Sequence, residues 1–274
     1  MTHFRLFDML SEMPRPHDMD AVQSGWSDWR TAVSERATDT WSQKRLADLA
    51  GSIEREPESK ALLEAIFGNS FFLSQCVNRD PEFFCDLVCD GAEDSASAIL
   101  QDIADKGKYS LNDNRLMEAM RVAKRRMALT IAIADLGNAW NLNKITRKLS
   151  ETADATLSMA TAYLIHDSAR MGAFDLANRK HPENGSGLIV IGMGKLGAFE
   201  LNYSSDIDLV ILYDTDRIST TKPDKLQNHM VRLARGLVRL MDERTADGYV
   251  FRTDLRLRPD PGATPLALSV NAAE

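Results

Sequence analysis

The chain has 274 residues, 44% of them hydrophobic and 27% charged, with a formal net charge of −7 and an isoelectric point near 5.4. That length has a prior of about two domains and is enough to bury a sizeable core, while the acidic balance gives no whole-molecule attraction to polyphosphate and argues against a nucleic-acid partner. No apolar run approaches the roughly 20 residues a bilayer-spanning helix needs, and Met1 is followed by polar and charged residues rather than an apolar leader, so a cytoplasmic protein with no membrane partner is expected.

Residues 1 to about 178 read as helical, with no sustained period-2 alternation. Leu62, Leu63, Ile66 and Phe67 mark a helix over 59–67, with Gly68 placed to stop it. Asp80-Pro81 reads as a helix start with proline at its first position. Cys76, Cys85 and Cys89 lack CxxC spacing and cannot all pair with one another; they read as core thiols in a reducing compartment. From Asn114, Leu116, Met120, Ala123, Met127, Ile131 and Ala134 form one amphipathic stripe, interrupted at Gly137. Ile145, Leu149, Ala153, Leu157, Ala160 and Leu164 form a second, and the two helices are expected to lie antiparallel across the connection around Trp140. Lys124, Arg125 and Arg126 read as a solvated face.

The stretch NRKHPENGSG, 178–187, has no apolar residue and is the predicted boundary between a helical region, 1–178, and a small mixed α/β unit, 185–274. LIVIG (188–192) and DLVILYD (208–214) read as strands, and YVFRTDLRLR (249–258) as a third with strict alternation. Between the last two, a helix begins near Pro223, carries Leu226, Met230, Leu233, Leu237, Leu240 and Met241 on one face, and is followed by the turn Asp247-Gly248. The fold class is therefore α+β.

Gly192, Gly194 and Gly197 satisfy GxGxxG after a strand, with Asp214 or Asp216 near the position of a ribose-binding acid. A dinucleotide fold, however, needs a full crossover helix between parallel strands, and 196–202 offers about two turns. A P-loop fails because Leu196 follows Lys195 and Ile189 stands in place of the first glycine. The other reading starts from Asp206 and Asp208. At i and i+2 of a strand they project from one face, and two unpaired carboxylates side by side call for a cation. Magnesium, held by one or two carboxylates with phosphate oxygens completing its shell, suits such a pair; the bland alternative is that the segment caps a helix or pairs with arginines. In the third strand, Asp254 is expected to share a face with Arg252, Arg256 and Arg258, opposite Phe251, Thr253, Leu255 and Leu257. A third acid among arginines fits a metal-phosphate site, the alternative being a local ion pair.

A strand, a glycine turn, a short helix, D-x-D at the head of a strand and a lone Asp on a later strand resemble the DNA polymerase β-like nucleotidyltransferases. Lys195 replaces the small residue that usually follows the first glycine. The run GKLG, E-L-N, S-S-D-I-D-L and FRTDLRLRP, with RLARGLVRLMDERTADGYVFR and, less sharply, AMRVAKRRMALTIAIADL, is similar to the glutamate-ammonia-ligase adenylyltransferase family. Its members add AMP to a tyrosine of glutamine synthetase and remove it, using two catalytic halves. With one motif about 190 residues in, this chain resembles the amino-terminal, adenylyl-removing half, and LSVNAAE ends where Ser269 or Asn271 could cap a further helix, so the catalytic domain is expected to be cut short there.

The resemblance implies that Asp206, Asp208 and Asp254 hold two Mg2+ ions, that phosphate attacks the adenylyl group, and that ADP leaves. Backbone N–H groups from Gly194 to Gly197 would receive phosphate oxygens, and Arg252 and Arg256 would contact phosphate. Ser205 and Lys195 are either helpers or a local cap and a surface charge. His166, His181 and His229 read as structural or solvated. The implied partners are glutamine synthetase and the PII signal protein; the implied nucleotides are ADP or ATP. Two alternatives stand beside removal of AMP: forward transfer from ATP, and a catalytically silent module that binds glutamine synthetase or PII.

Overall fold

A computed structural model describes residues 4–11, 13–36, 40–106, 112–176, 178, 181–220, 222–258, 260 and 262–273, with the backbone alone for 40–43. The chain divides into two compact units, Met1–Ile99 with Arg125–Ile145, and Leu100–Lys124 with Thr146–Glu274. Of the 178–187 stretch, 179 and 180 lie outside the described residues and 181–186 form turns.

The first unit is built from α1 (Met19–Glu35), α2 (Thr40–Arg55), α3 (Pro57–Asn69), α4 (Phe71–Arg79), α5 (Pro81–Asp90) and the start of α6 (Ala92–Lys106), together with the helical residues of 125–145. The caps are local and strong in type. Asp18 accepts from the backbone N–H groups of Asp20 and Ala21, Ser70 from Leu73, and Asp80 from Phe83, each satisfying a donor the helix cannot. Pro57 and Pro81 occupy first helical positions, where no amide hydrogen is missed. The core gathers Trp29, Ile53, Leu62, Leu63, Phe84 and Leu87, with Trp29 edge-on to Phe84 at 5.6 Å between centroids. Cys76 and Cys85 are buried and Cys89 is half-buried, none of the three in a disulfide; burial pushes the Cys85 thiol well up.

Gly68 does not stop its helix. It lies inside α3, which ends at Asn69, and a Cβ there would sit 2.6 Å from Pro16 Cβ. The glycine is a close-approach point for the segment before α1, not a terminator. The basic cluster also differs from its reading. Arg126 Nε donates to Asp80 Oδ2 at 2.7 Å and its guanidinium lies 5.0 Å from the Phe83 ring, while Lys124 Nζ lies 5.4 Å from the Tyr249 ring. Asp80 thus caps α5 with one oxygen and holds Arg126 with the other, at 9% side-chain exposure. Asp80→Ala is expected to lose about 2–3 kcal/mol in urea unfolding. Asp80→Asn, which keeps an acceptor for the cap, is expected to lose about half as much.

In the second unit, α7 (Asp113–Leu136) and α8 (Leu142–Arg170) contribute the early and late parts of a hairpin. Their antiparallel course follows from Tyr163, late in α8, donating its hydroxyl to Asp113 at the start of α7; Arg239 donates to the same carboxylate. The Tyr163 hydroxyl is pushed up to about 12, by burial first and then by that carboxylate. Arg121 of α7 has 1% exposure and spreads its donors over backbone carbonyls. Its Nε donates to the Gly248 carbonyl at 2.8 Å, Nη1 to Met117 and Leu240 at 3.0 and 3.2 Å, and Nη2 to Glu243.

The sheet is mixed. β1 (Leu188–Met193) runs antiparallel to β2 (Ile207–Tyr213), in register from Leu188↔Tyr213 to Met193↔Asp208. Between them stands only α9 (Gly194–Gly197), one turn long, so the parallel crossover of a dinucleotide fold is absent from this hairpin. β3 (Thr253–Asp254) and β4 (Leu268–Ser269) both run parallel to β2, in tandem along its other edge. Ile207, Leu209, Ile211 and Tyr213 are buried while Asp208, Val210 and Leu212 are half-buried, the alternation of a one-sided strand. α10 (Leu226–Asp242) buries the apolar stripe expected of it, after a 3-10 turn over Pro223–Lys225, and α11 (Val270–Ala273) follows β4.

The third strand is much shorter than its alternation implies. Only Thr253 and Asp254 pair in the ladder. The amides of Val250 and Phe251 are committed to the Met241 carbonyl at the end of α10, and the Arg256 amide turns back to Asp254 Oδ1. Beyond Asp254 the chain turns, so Leu257 is 54% exposed rather than sharing the buried side of Phe251 and Leu255.

Candidate active site

Register assembles the site. Asp206 stands immediately before β2, exposed, and Asp208 is its second residue. Asp254 of β3 is the Cα partner of Asp208, and cross-strand partners project from the same face, roughly 4.8 Å apart. Of the three acids named from the sequence, Asp208 and Asp254 are therefore side by side at the head of the sheet, and Asp206 precedes Asp208 by two residues.

The glycine turn closes over them. Because Met193 pairs with Asp208, α9 begins directly above that carboxylate. Gly194 has φ +52, and a Cβ on it would lie 2.7 Å from Asp208 Oδ2. A side chain is excluded twice, by backbone conformation and by the acid. Gly197 is needed for close approach, since its Cβ would meet the Gly192 carbonyl oxygen at 2.6 Å. α9 ends in a Schellman arrangement, Phe199 N–H to Leu196 O at 3.0 Å and Glu200 N–H to Lys195 O at 2.7 Å. Phe199 holds the left-handed position at φ +58 where glycine is usual, with the Arg147 guanidinium 5.3 Å from its ring. Ser150 of α8, fully buried, accepts from the Leu201 amide at 3.3 Å. Sequence reasoning missed these anchors. The short helix expected over 196–202 placed Phe199 in its middle rather than at its end, and nothing in the sequence links Ser150 to Leu201.

The arginines divide. Arg256 clasps Asp254: Nε reaches both carboxylate oxygens at 3.0 and 2.9 Å and the backbone N–H reaches Oδ1 at 2.8 Å. These bonds, the side-chain ones first, hold the Asp254 carboxyl down at about 2, while Asp254, then Asp206 and Asp208, push the guanidinium up. The carboxylate is thus ionised at any working pH. Arg252 donates to the Ser204 carbonyl at 2.9 Å, and its own carbonyl receives the Ile207 amide, tying the loop before β2 to β3. Arg258 does not share the face of Asp254; it donates to the carbonyls of Leu255 and Thr264 because the strand has already ended. Ser205 Oγ accepts from the Asn202 amide at 3.3 Å, closing the 202–205 turn, and Lys195 is exposed. Of the histidines, His166 and His181 are exposed and His229 is half-buried, and none belongs to β1, α9, β2 or β3.

Among the described residues, no three carboxylate, imidazole or thiol groups already converge on one cation position. Asp254 gives its oxygens to Arg256 instead. The donor set nonetheless fits a hard divalent ion, being all carboxylate oxygen, and the bare Cα of Gly194 keeps the space beside Asp208 clear.

A family profile described as glutamate-ammonia ligase adenylyltransferase matches residues 60–274, taking in the whole site. The chain belongs to that family. Among its relatives is the bifunctional glutamine synthetase adenylyltransferase/adenylyl-removing enzyme of Brucella suis biovar 1 (strain 1330), 40% identical over 238 residues, 86% of this chain and 24% of the relative. The protein of the same name from Agrobacterium fabrum (strain C58 / ATCC 33970) is 42% identical over 229 residues, covering 82% and 23%. That of Rhodopseudomonas palustris (strain ATCC BAA-98 / CGA009) is 35% identical over 260 residues, covering 95% and 26%. The chain spans about a quarter of the length of these relatives. No helix among its described residues is long and apolar enough to cross a membrane.

In this member of the adenylyltransferase family, Gly194→Ala is expected to lower stability by about 2 kcal/mol, from the left-handed backbone and the contact with Asp208. Urea unfolding checks the loss, and a silent substitution would mean that α9 shifts freely off the acid.

Proposed function

We propose that this chain carries the phosphorolytic half of glutamine synthetase regulation: it removes AMP from the adenylylated tyrosine of glutamine synthetase and releases ADP. The observation that carries the reading is the in-register pairing of Asp208 with Asp254, beside Asp206 and under Gly194. Family membership supports the substrate class. In the reaction, a phosphate oxygen bonds to the adenylyl phosphorus, the bond from phosphorus to the tyrosyl oxygen breaks, and that oxygen ends protonated as tyrosine. Asp206, Asp208 and Asp254 would hold Mg2+, which when bound neutralises charge on the transferring group. The backbone N–H groups of the α9 turn, with Arg256, Arg252 and Lys195, receive phosphate oxygens. Ser205 keeps the D-x-D loop in shape through its bond to Asn202. No protein nucleophile is needed. The partners are glutamine synthetase and, by family resemblance, PII; the cytoplasm is the compartment.

Direction is the finer part of the proposal, because one metal site stabilises the same transition state either way. The test incubates the chain with adenylylated glutamine synthetase, Mg2+ and phosphate and measures ADP. Pyrophosphate release from ATP with unmodified glutamine synthetase instead would assign forward transfer. Neither product, with no Mg2+-dependent nucleotide binding by calorimetry, would leave a silent binding module.

A further inference from the structure

The third acid of the constellation already has a positive partner, and it is part of the chain. Three side-chain bonds and one backbone bond join Arg256 to Asp254, yet the Arg256 side chain is 82% exposed. It also lies in the field of Asp206 and Asp208. A carboxylate with both oxygens in a guanidinium fork has little left for a metal. The Asp254 side chain is only 15% exposed, so the fork is open to water from the arginine side alone; a divalent ion, with twice the charge, can still displace the guanidinium, whose long flexible stem lets it move to another acceptor nearby.

We propose that Arg256 is a place-holding positioning residue, which neutralises Asp254 until a divalent cation arrives, then releases the carboxylate and turns to a phosphate oxygen. This rests on the metal-dependent reading above and adds the order of events at the site. The competing view is that Arg256 only staples the turn after β3.

The test measures Mn2+ binding to the substrate-free chain by electron paramagnetic resonance, for wild type, R256Q and R252Q. Arg252 is the charge control, since it holds the Ser204 carbonyl rather than Asp254. R256Q is expected to bind Mn2+ about two- to fivefold more tightly than wild type, with R252Q changing less than half as much. With Mn2+ bound, R256Q is expected to take inorganic phosphate about tenfold more weakly. Unchanged Mn2+ affinity in R256Q, equal tightening in R252Q, or undiminished phosphate binding would each overturn the place-holder. If ADP release persists alongside any of these, the proposed reaction stands alone. If no form binds Mn2+ and no ADP is released, both readings fall.

Discussion

Asp208→Asn is expected to reduce phosphate-dependent ADP release from adenylylated glutamine synthetase by about a thousandfold or more. Asparagine keeps the shape of the side chain under Gly194 and the register of β2, but removes one of the negative charges proposed to hold Mg2+. Several kcal/mol of transition-state stabilisation go with them, and each 1.36 kcal/mol is tenfold in rate. The fold should survive, because Asp208 is half-buried and its neighbours Ile207 and Leu209 carry the core contact of the strand. Asp206→Asn should behave alike. Asp254→Asn should lose as much activity and also free Arg256. Normal ADP release by the folded Asp208 variant would remove the site from consideration.

The largest stability effect is expected at Arg121. Arg121→Met keeps most of the stem but takes donors from the carbonyls of Leu240, Glu243 and Gly248, which surround the end of α10 and the Thr245–Gly248 turn. A buried acceptor left unsatisfied costs about 1–3 kcal/mol, and a cation at a helix C-terminus adds a few tenths to 1 more. Against this stands the desolvation of the guanidinium, which lowers its pKa ahead of the opposing pull of Glu243 and Asp247. With several bonds to fixed carbonyls the first effect should win, for a net loss of about 3 kcal/mol in urea unfolding. Arg121→Lys should recover a minor part, since one ammonium cannot span acceptors that a planar fork reaches at once. A loss below about 0.5 kcal/mol would mean that desolvation balances the bonds.

What could be read from the amino acids was mostly what lies within one element. The Asp80-Pro81 start, the two long apolar stripes and the apolar run of β2 are local patterns and appear as such. Gly68 misleads because its reason lies at Pro16, and Arg126 because its partner is Asp80. The stretch from 249 to 258 alternates fully, yet the amides of Val250 and Phe251 are claimed by α10, so a strong local signal yields to tertiary hydrogen bonding. The pairing of Asp208 with Asp254 could be anticipated because Asp206 and Asp208 are an i, i+2 pair at the head of a strand, and Asp254 sits in the part of its segment that pairs as a strand. The committed states of Arg252 and Arg256 could not, since arginine reach is set by geometry that spacing does not encode.

The position of β2 between β1 on one edge and β3 with β4 on the other has an effect on error tolerance. A one-residue slip would swing Asp208 inward and push Ile207, Leu209, Ile211 and Tyr213 into water at the same moment. The placement of the acids is therefore secured by oil: a misaligned ribbon gives up its greasy side before it can scatter its charges, and damage to the hairpin should surface as poor folding sooner than as a soluble protein with displaced carboxylates.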